Sequence, residues 1–244
     1  MNYKPYKNLN NSKKDQIVTM FNRIAKTYDR LNALITFGMD KRWRKRIAKM
    51  IASNHPNNIL DIGTGTGALA IDLAKQSSGK IVGIDIAEGM LAIGRKKIKH
   101  LGLDDRITMK VDDAEQLSFD SNVFDAVSVG FGVRNFENLH QGLYELLRVL
   151  KPGGQLVILE TAVPKYFPFK QGYYLYSNII IPMLGKMISK DKLAYEYLSN
   201  SAGIFPYGEK FNNILKDVGF THLIDNPQAL GIVSIYSAIK PLDN

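Results

Sequence analysis

The stretch Ile59-Leu60-Asp61-Ile62-Gly63-Thr64-Gly65-Thr66-Gly67-Ala68-Leu69 decides the fold. A short apolar run ends in an acid, a loop carries Gly at every second position, and a helix-forming segment begins at Ala68. Gly in such a turn supplies positive φ and lets a ligand approach bare backbone. The helix start behind it presents free N–H groups. Twenty-four residues after Asp61, a second strand-like run, Lys80-Ile81-Val82-Gly83-Ile84, ends in Asp85, where a carboxylate can take both hydroxyls of a ribose. Together these predict a nucleoside-binding α/β domain.

Outward from this stretch, apolar and helical patterns alternate. Strand 59–61 leads to helix 67–77, strand 80–84 to helix 88–100, and strand 107–111 to a loop. Strand 124–130 precedes helix 137–150, a Lys151-Pro152-Gly153-Gly154 turn and strand 155–160. The alternation predicts a doubly wound, mostly parallel sheet with helices on both faces. After helix 208–218, runs 221–225 and 231–239, joined through Asn226-Pro227, must pair antiparallel and bring the sheet to seven strands. Ahead of the core, Ile17, Phe21, Ile24, Tyr28 and Leu31 recur at helical spacing, giving an amphipathic helix over 14–34, and a second helix runs from Lys41 to Ala52. The expected organisation is therefore basic N-terminal helices (1–55) over the site, a core (56–163), an aromatic lid insertion (164–206), and a closing helix and hairpin (207–244).

Charge and composition narrow the function. The net charge is +9, yet residues 1–55 hold 13 Lys/Arg against Asp15, Asp29 and Asp40, so the whole excess lies there. A solvated helix face, an anionic membrane surface and nucleic acid all fit such a segment. The chain has no Cys, which excludes disulfides, Cys-ligated metals and a thiolate nucleophile; no metal site is expected. Met1 to Asn11 is polar without an apolar h-region, so no signal peptide is expected. No run of about 18 apolar residues offers a bilayer span.

The order Gly63-x-Gly65-x-Gly67 behind Asp61 differs from the G-x-G-x-x-G dinucleotide fingerprint and resembles motif I of the class I S-adenosylmethionine (SAM) methyltransferases, a Rossmann-like fold. An acid at the strand end suits the cationic methionine part of SAM and would repel a diphosphate. On this resemblance Asp61, Gly63, Thr66, Gly67 and Asp85 hold the cofactor SAM. Asp113-Ala114 takes the adenine amino group, and Gly130 permits close approach. Arg134 and Asn135, after strand 124–130, stand where methyl donor and acceptor meet; an Arg there can stabilise a developing phenolate or enolate.

Further blocks narrow the resemblance. Tyr28-Asp29-Arg30-Leu31-Asn32, Gly38, Trp43-Arg44, Phe131-Gly132-Val133-Arg134-Asn135, Arg148 to Gly154, Glu160 and Tyr195-Glu196-Tyr197-Leu198 resemble the ubiquinone/menaquinone biosynthesis C-methyltransferase family. The resemblance implies C-methylation of a polyprenylated hydroquinone, most simply demethylmenaquinol, at the inner face of a membrane by a cytoplasmic, peripherally bound enzyme. Leu31, Thr36, Asp40 and Ala162 depart from the family pattern, so no His role transfers to position 40 and no Ser role to position 162. For the base that ionises the acceptor, His140, Glu160, Tyr195 and a bound water stay open. Another phenol or amine methyltransferase is the nearest alternative. A nucleic-acid methyltransferase is further away, since the chain lacks any Pro-Pro motif and catalytic Cys. A Tyr-x-x-x-Lys dehydrogenase pair at Tyr166 and Lys170 is spoiled by Pro168 between them. Oligomeric state is not readable from sequence.

Overall fold

The computed structural model describes residues 3–6, 10–181, 183 and 191–242. Two helices come first: α1 (Lys13–Ile35), capped by the Ser12 side chain accepting from the Asp15 N–H, and α2 (Asp40–Ala52). The core follows as β1 (Asn58–Ile62), α3 (Ala68–Gln76), β2 (Lys80–Asp85), α4 (Glu88–His100), β3 (Ile107–Val111), β4 (Phe124–Gly130), α5 (Leu139–Val149) and β5 (Leu150–Thr161). The insertion contributes α6 (Phe169–Leu175), continued by a π-helical turn (Tyr176–Ile180), and α7 (Lys192–Ile204). The chain closes with α8 (Glu209–Val218), β6 (Thr221–Gln228) and β7 (Val233–Ile239).

The seven strands lie in the order β3-β2-β1-β4-β5-β7-β6. β1 to β5 are parallel, and β7 runs antiparallel between β5 and β6. The chain thus reverses direction across the sheet between β1 and β4, where open α/β sheets place ligands at the carboxyl ends of their strands. The central strands are buried on both faces, so Ile59, Leu60, Val127, Val129, Val157 and Ile158 read as near-continuous apolar runs.

The N-terminal helices are seated by apolar contact. Ile17, Met20, Ile24 and Leu31 of α1 are at most 2% exposed and pack with Ala194, Tyr195 and Tyr197 of α7. Each such side chain contributes about 1.5–3 kcal/mol on burial. Trp43, Ile47 and Ile51 of α2 pack on Leu69, Ala70 and Leu73 of α3.

Three details differ from the sequence expectation. Pro227 lies inside β6 and the turn comes later, at Ala229–Gly231. β6 is the sheet's outer strand, the place in a sheet where Pro is tolerated. Lys151-Pro152-Gly153-Gly154 belongs to β5, its turn character surviving as a register shift against β4 and as φ 76° at Gly153. Helix α5 begins only at Leu139, because the Asn138 side chain caps it by accepting the Gln141 N–H. Of the apolar residues that mark the insertion, Leu184, Met187 and Ile188 lie outside the described residues.

Candidate functional site

The glycine loop takes its shape from left-handed backbone: Gly63, Gly65 and Gly67 have φ of 60°, 56° and 78°. Asp85 braces it from the next strand, accepting the N–H groups of Gly65 and Ala87 at 2.9 Å each. Burial pushes the Asp85 carboxyl up to about 6, against the lowering effect of those N–H bonds. Asp61 is 1% exposed and accepts the hydroxyls of Thr64 and Ser128, both at 2.6 Å. Burial pushes it up to about 6 as well. Two carboxylates are therefore held largely out of water at adjacent strand ends, where hydroxyl donors or a cation would stabilise their charge.

Two cavities meet here. The smaller, about 80 Å³, is lined by Asp85, Asp113, Ala114, Gly63, Gly130 and Asn135, and α1 covers it with Lys14, Ile17, Phe21 and Tyr28. Lys14 pairs with Asp113 at 2.5 Å, occupying the acid expected to meet an adenine. The larger, about 620 Å³, includes Asp61, Thr66, Gly63, Gly130 and Arg134 in its wall. Tyr28, Gly63, Gly65, Gly130 and Phe131 line both, so they form the partition between them. Gly67 lines neither; it caps α3, with Met109 and Ile98 beside its Cα. The Thr66 hydroxyl turns to α1, donating to Asp29 at 2.6 Å, and Asp29 also pairs with Lys97.

Arg134 sits on a short 3₁₀ turn (Val133–Asn135) directly after β4. Its Nη1 donates to Glu160 Oε1 and to the Phe131 carbonyl, each at 2.7 Å. Burial is the largest influence and lowers the guanidinium pKa, but the Glu160 charge and hydrogen bond, with Tyr28 and Tyr197, together outweigh it and raise it, so the cation persists. Arg134 Nε is buried without a hydrogen-bond partner among the described residues, while the residue as a whole lines the larger cavity. Asn135 faces the other way: it lines the smaller cavity and its Oδ1 accepts from Tyr197 at 3.3 Å. The two sequence neighbours are thus split between the cavities.

The candidate bases are sorted by position. His140 is exposed on α5, and Tyr195 packs in the α1 core; neither lines either of these two cavities. Glu160 is fully buried, and its Oε1 already accepts from Arg134 and from the Thr161 N–H and hydroxyl. It holds Arg134 and is poorly placed to accept a further proton. Sequence reading missed Tyr28 as a site residue because its helical spacing marks it equally well as core. Its phenol is pushed up by burial, as are those of Tyr173 and Tyr197, so all three are donors at neutral pH.

This arrangement, a carboxylate-braced glycine loop beside a large cavity with the buried Arg134 in its wall, has close relatives in sequence. A demethylmenaquinone methyltransferase of Bacteroides fragilis is 43% identical over 98% of this chain and 100% of its own length. The ubiquinone/menaquinone biosynthesis C-methyltransferase UbiE of Geobacter sulfurreducens is 41% identical over 94% of this chain and 90% of its own. Solved structures share the fold at much lower identity. A possible histamine N-methyltransferase of Thermotoga maritima matches at TM-score 0.59 and 17% identity, covering 91% of this chain and 99% of that one. The [4+2]-cyclase SpnF matches at TM-score 0.61 and 17% identity, covering 94% and 97%. A cyclase and a methyltransferase on one fold show that architecture alone does not fix the chemistry. Residues 9–240 match the ubiE/COQ5 methyltransferase family, and the chain belongs to it.

Proposed function

We propose that this methyltransferase transfers the methyl group of SAM to a ring carbon of a polyprenylated hydroquinone, most simply demethylmenaquinol. The observation that carries the assignment is Arg134: a desolvated guanidinium in the wall of a large cavity that shares the glycine loop with the smaller one. The relative named demethylmenaquinone methyltransferase supports the menaquinone branch.

The donor set suits SAM. Asp85 offers a half-buried carboxylate for a ribose diol and Asp61 a buried one for a cation, and Asp113 with Ala114 lines the far end for the adenine. The smaller cavity, at about 80 Å³, falls below the roughly 300 Å³ at which ligand pockets begin, so Lys14, Ile17 and Phe21 must draw back to admit an adenosyl group. Bound there, SAM supplies an electrophilic methyl on a sulfonium.

The chain's own residues prepare the acceptor. A quinol ionised at one hydroxyl pushes electron density onto its ring carbon, and Arg134 stabilises that oxyanion with a charge that cannot titrate away at working pH. Glu160 fixes the guanidinium, and the phenols of Tyr28 and Tyr173 add donors around the ring. Asn135, on the other side of the partition, steadies the turn through Tyr197 and helps line the SAM pocket. After transfer the ring carbon passes its proton to a bound water, the base that position leaves open, and aromaticity returns. The apolar wall, including Leu159, Leu198 and Val233, keeps bulk water from the reacting methyl.

Among the described residues no helix is long and apolar enough to cross a membrane. An acceptor whose tail stays in the bilayer therefore calls for peripheral work at the cytoplasmic face of the membrane, with the basic first 55 residues toward the lipid. The test is mass spectrometry of quinones extracted from cells lacking the protein. A precursor lighter by one ring methyl is expected, restored by the gene; an unchanged quinone pool would refute the assignment.

A further inference from the structure

We infer that the rim of the larger cavity is a docking surface for an anionic lipid bilayer, and the portal by which the acceptor's isoprenoid tail stays in the leaflet while its ring reaches Arg134. The tail portal rests on the quinol reading above; the lipid surface stands on the following observations.

Phe37 lines the cavity and yet is 74% exposed, which places it at the mouth. It turns the corner between α1 and α2 at φ 50°, followed by Gly38 at φ 72°. A bulky residue in left-handed backbone costs about 1–2 kcal/mol, and an exposed ring recovers little of that in water. Its ring neighbour is Tyr176, 6.1 Å between centroids, and the Tyr176 hydroxyl donates to the Ile35 carbonyl at 2.6 Å. The two sides of the mouth are thereby tied together.

Behind Tyr176 the helix is apolar on two faces. Tyr173, Tyr176 and Ser177 line the cavity, whereas Tyr174, Leu175 and Ile179 point outward at 45%, 61% and 54% exposure. The sequence carries no charged residue from Gln171 to Met183. A helix facing water on its outer side would be polar there. Tyr166 and Phe167, earlier in the same segment, are 70% and 79% exposed, and aromatics of this kind settle at lipid headgroups.

Charge selects the occupant. Lys41 stands in the cavity wall, and Lys41, Arg42 and Lys45 are exposed on α2, which has no acid after Asp40. A second copy of the chain seated on the rim would bring these cations against their own kind. An anionic surface attracts them, by about 1 kcal/mol per Lys or Arg close to it. A bilayer also leaves the cavity open to a lipid-borne molecule, which a protein partner would plug.

The experiment is co-sedimentation of the full chain with phosphatidylcholine vesicles, with and without phosphatidylglycerol, at low and high salt. Neither acceptor nor SAM is present, so the result is independent of the catalytic assignment. Binding is expected only with phosphatidylglycerol, and weaker in high salt. The double variant Leu175→Asp/Ile179→Asp should lose at least about tenfold in partitioning, from two lost apolar burials. Arg42→Glu/Lys45→Glu should lose a similar factor, with native circular dichroism in both variants. Wild-type partitioning by Leu175→Asp/Ile179→Asp would overturn the docking surface, and binding indifferent to phosphatidylglycerol and salt would overturn its charge. A wild-type dimer that this variant makes monomeric, with no vesicle binding, would assign the rim to a second copy instead.

Discussion

Arg134 and Glu160 form an ion pair that is 7% and 0% exposed at its two side chains, with Nη1 and Oε1 2.7 Å apart. A buried pair of this kind adds little stability over an apolar pair, but breaking it is expensive because one charge is left without a partner. Glu160→Ala is therefore expected to destabilise the protein by about 3–5 kcal/mol in urea unfolding. The double change Arg134→Met/Glu160→Met should recover most of that stability and still be inactive. If the double variant were as unstable as Glu160→Ala alone, the pair would be holding the fold rather than the site. Arg134→Lys, which keeps the charge but loses the planar donor fork, should fold normally and lose about 10²-fold in turnover.

Asp85 has a different task. It holds the glycine loop through the Gly65 N–H, is itself fixed by the Ala87 N–H, and faces the smaller cavity. Asp85→Ala should weaken SAM binding, followed by calorimetry, by about 1–3 kcal/mol, the range for hydrogen bonds lost to a charged group. Unchanged affinity would remove Asp85 from the cofactor site.

The fold was legible because its signals are local. Asp61, Gly63 to Gly67 and Asp85 mark two strand ends and a turn by residue type alone, and the 88–100 helix agrees with α4 residue for residue. The edge position of β6 is a tertiary fact, so Pro227 reads as a turn when nothing local says that the strand lies where Pro is tolerated. The site was legible by position and less so by direction. Arg134 and Asn135 are adjacent in sequence, but a 3₁₀ turn sends their side chains into different cavities. Tyr28 carries two meanings, one wall of the site and one contact in the α1 core, and helical periodicity registers only the second.

On the proposed cofactor site, the raised Asp61 and Asp85 carboxyls would make SAM binding pH-dependent. Both are pushed from 3.8 to about 6 in the free protein by burial. As the folded form holds its protons more tightly than the unfolded chain, these two groups favour folding below about pH 4 and lose that contribution as pH rises through 6. A diol and a cation bind the ionised forms, so SAM affinity should rise as pH increases from about 5 to 7 and then level off. The change is bounded at roughly tenfold per pH unit for each linked proton. Calorimetry across this range checks it; affinity that is flat, or that falls toward neutral pH, would mean that neither carboxylate meets the ligand.

The oxidation state of the acceptor gives the sharpest separation of chemistry from binding. A quinone ring is electron-poor and offers no nucleophilic carbon, whereas the quinol can ionise, and on the proposed mechanism Arg134 would then stabilise the oxygen that pushes density onto the ring. The apolar cavity receives either form, since both have the same shape and tail. Binding of quinone and quinol should therefore be similar, while methyl transfer occurs with the quinol alone, measured by transfer of labelled methyl from SAM under anaerobic reducing and oxidising conditions. Arg134→Lys should reduce the quinol rate with little change in quinone affinity, because its loss falls on the charged transition state. Equal methylation of quinone and quinol would refute oxyanion stabilisation by Arg134 whatever the product, and would require a different route to a nucleophilic ring carbon.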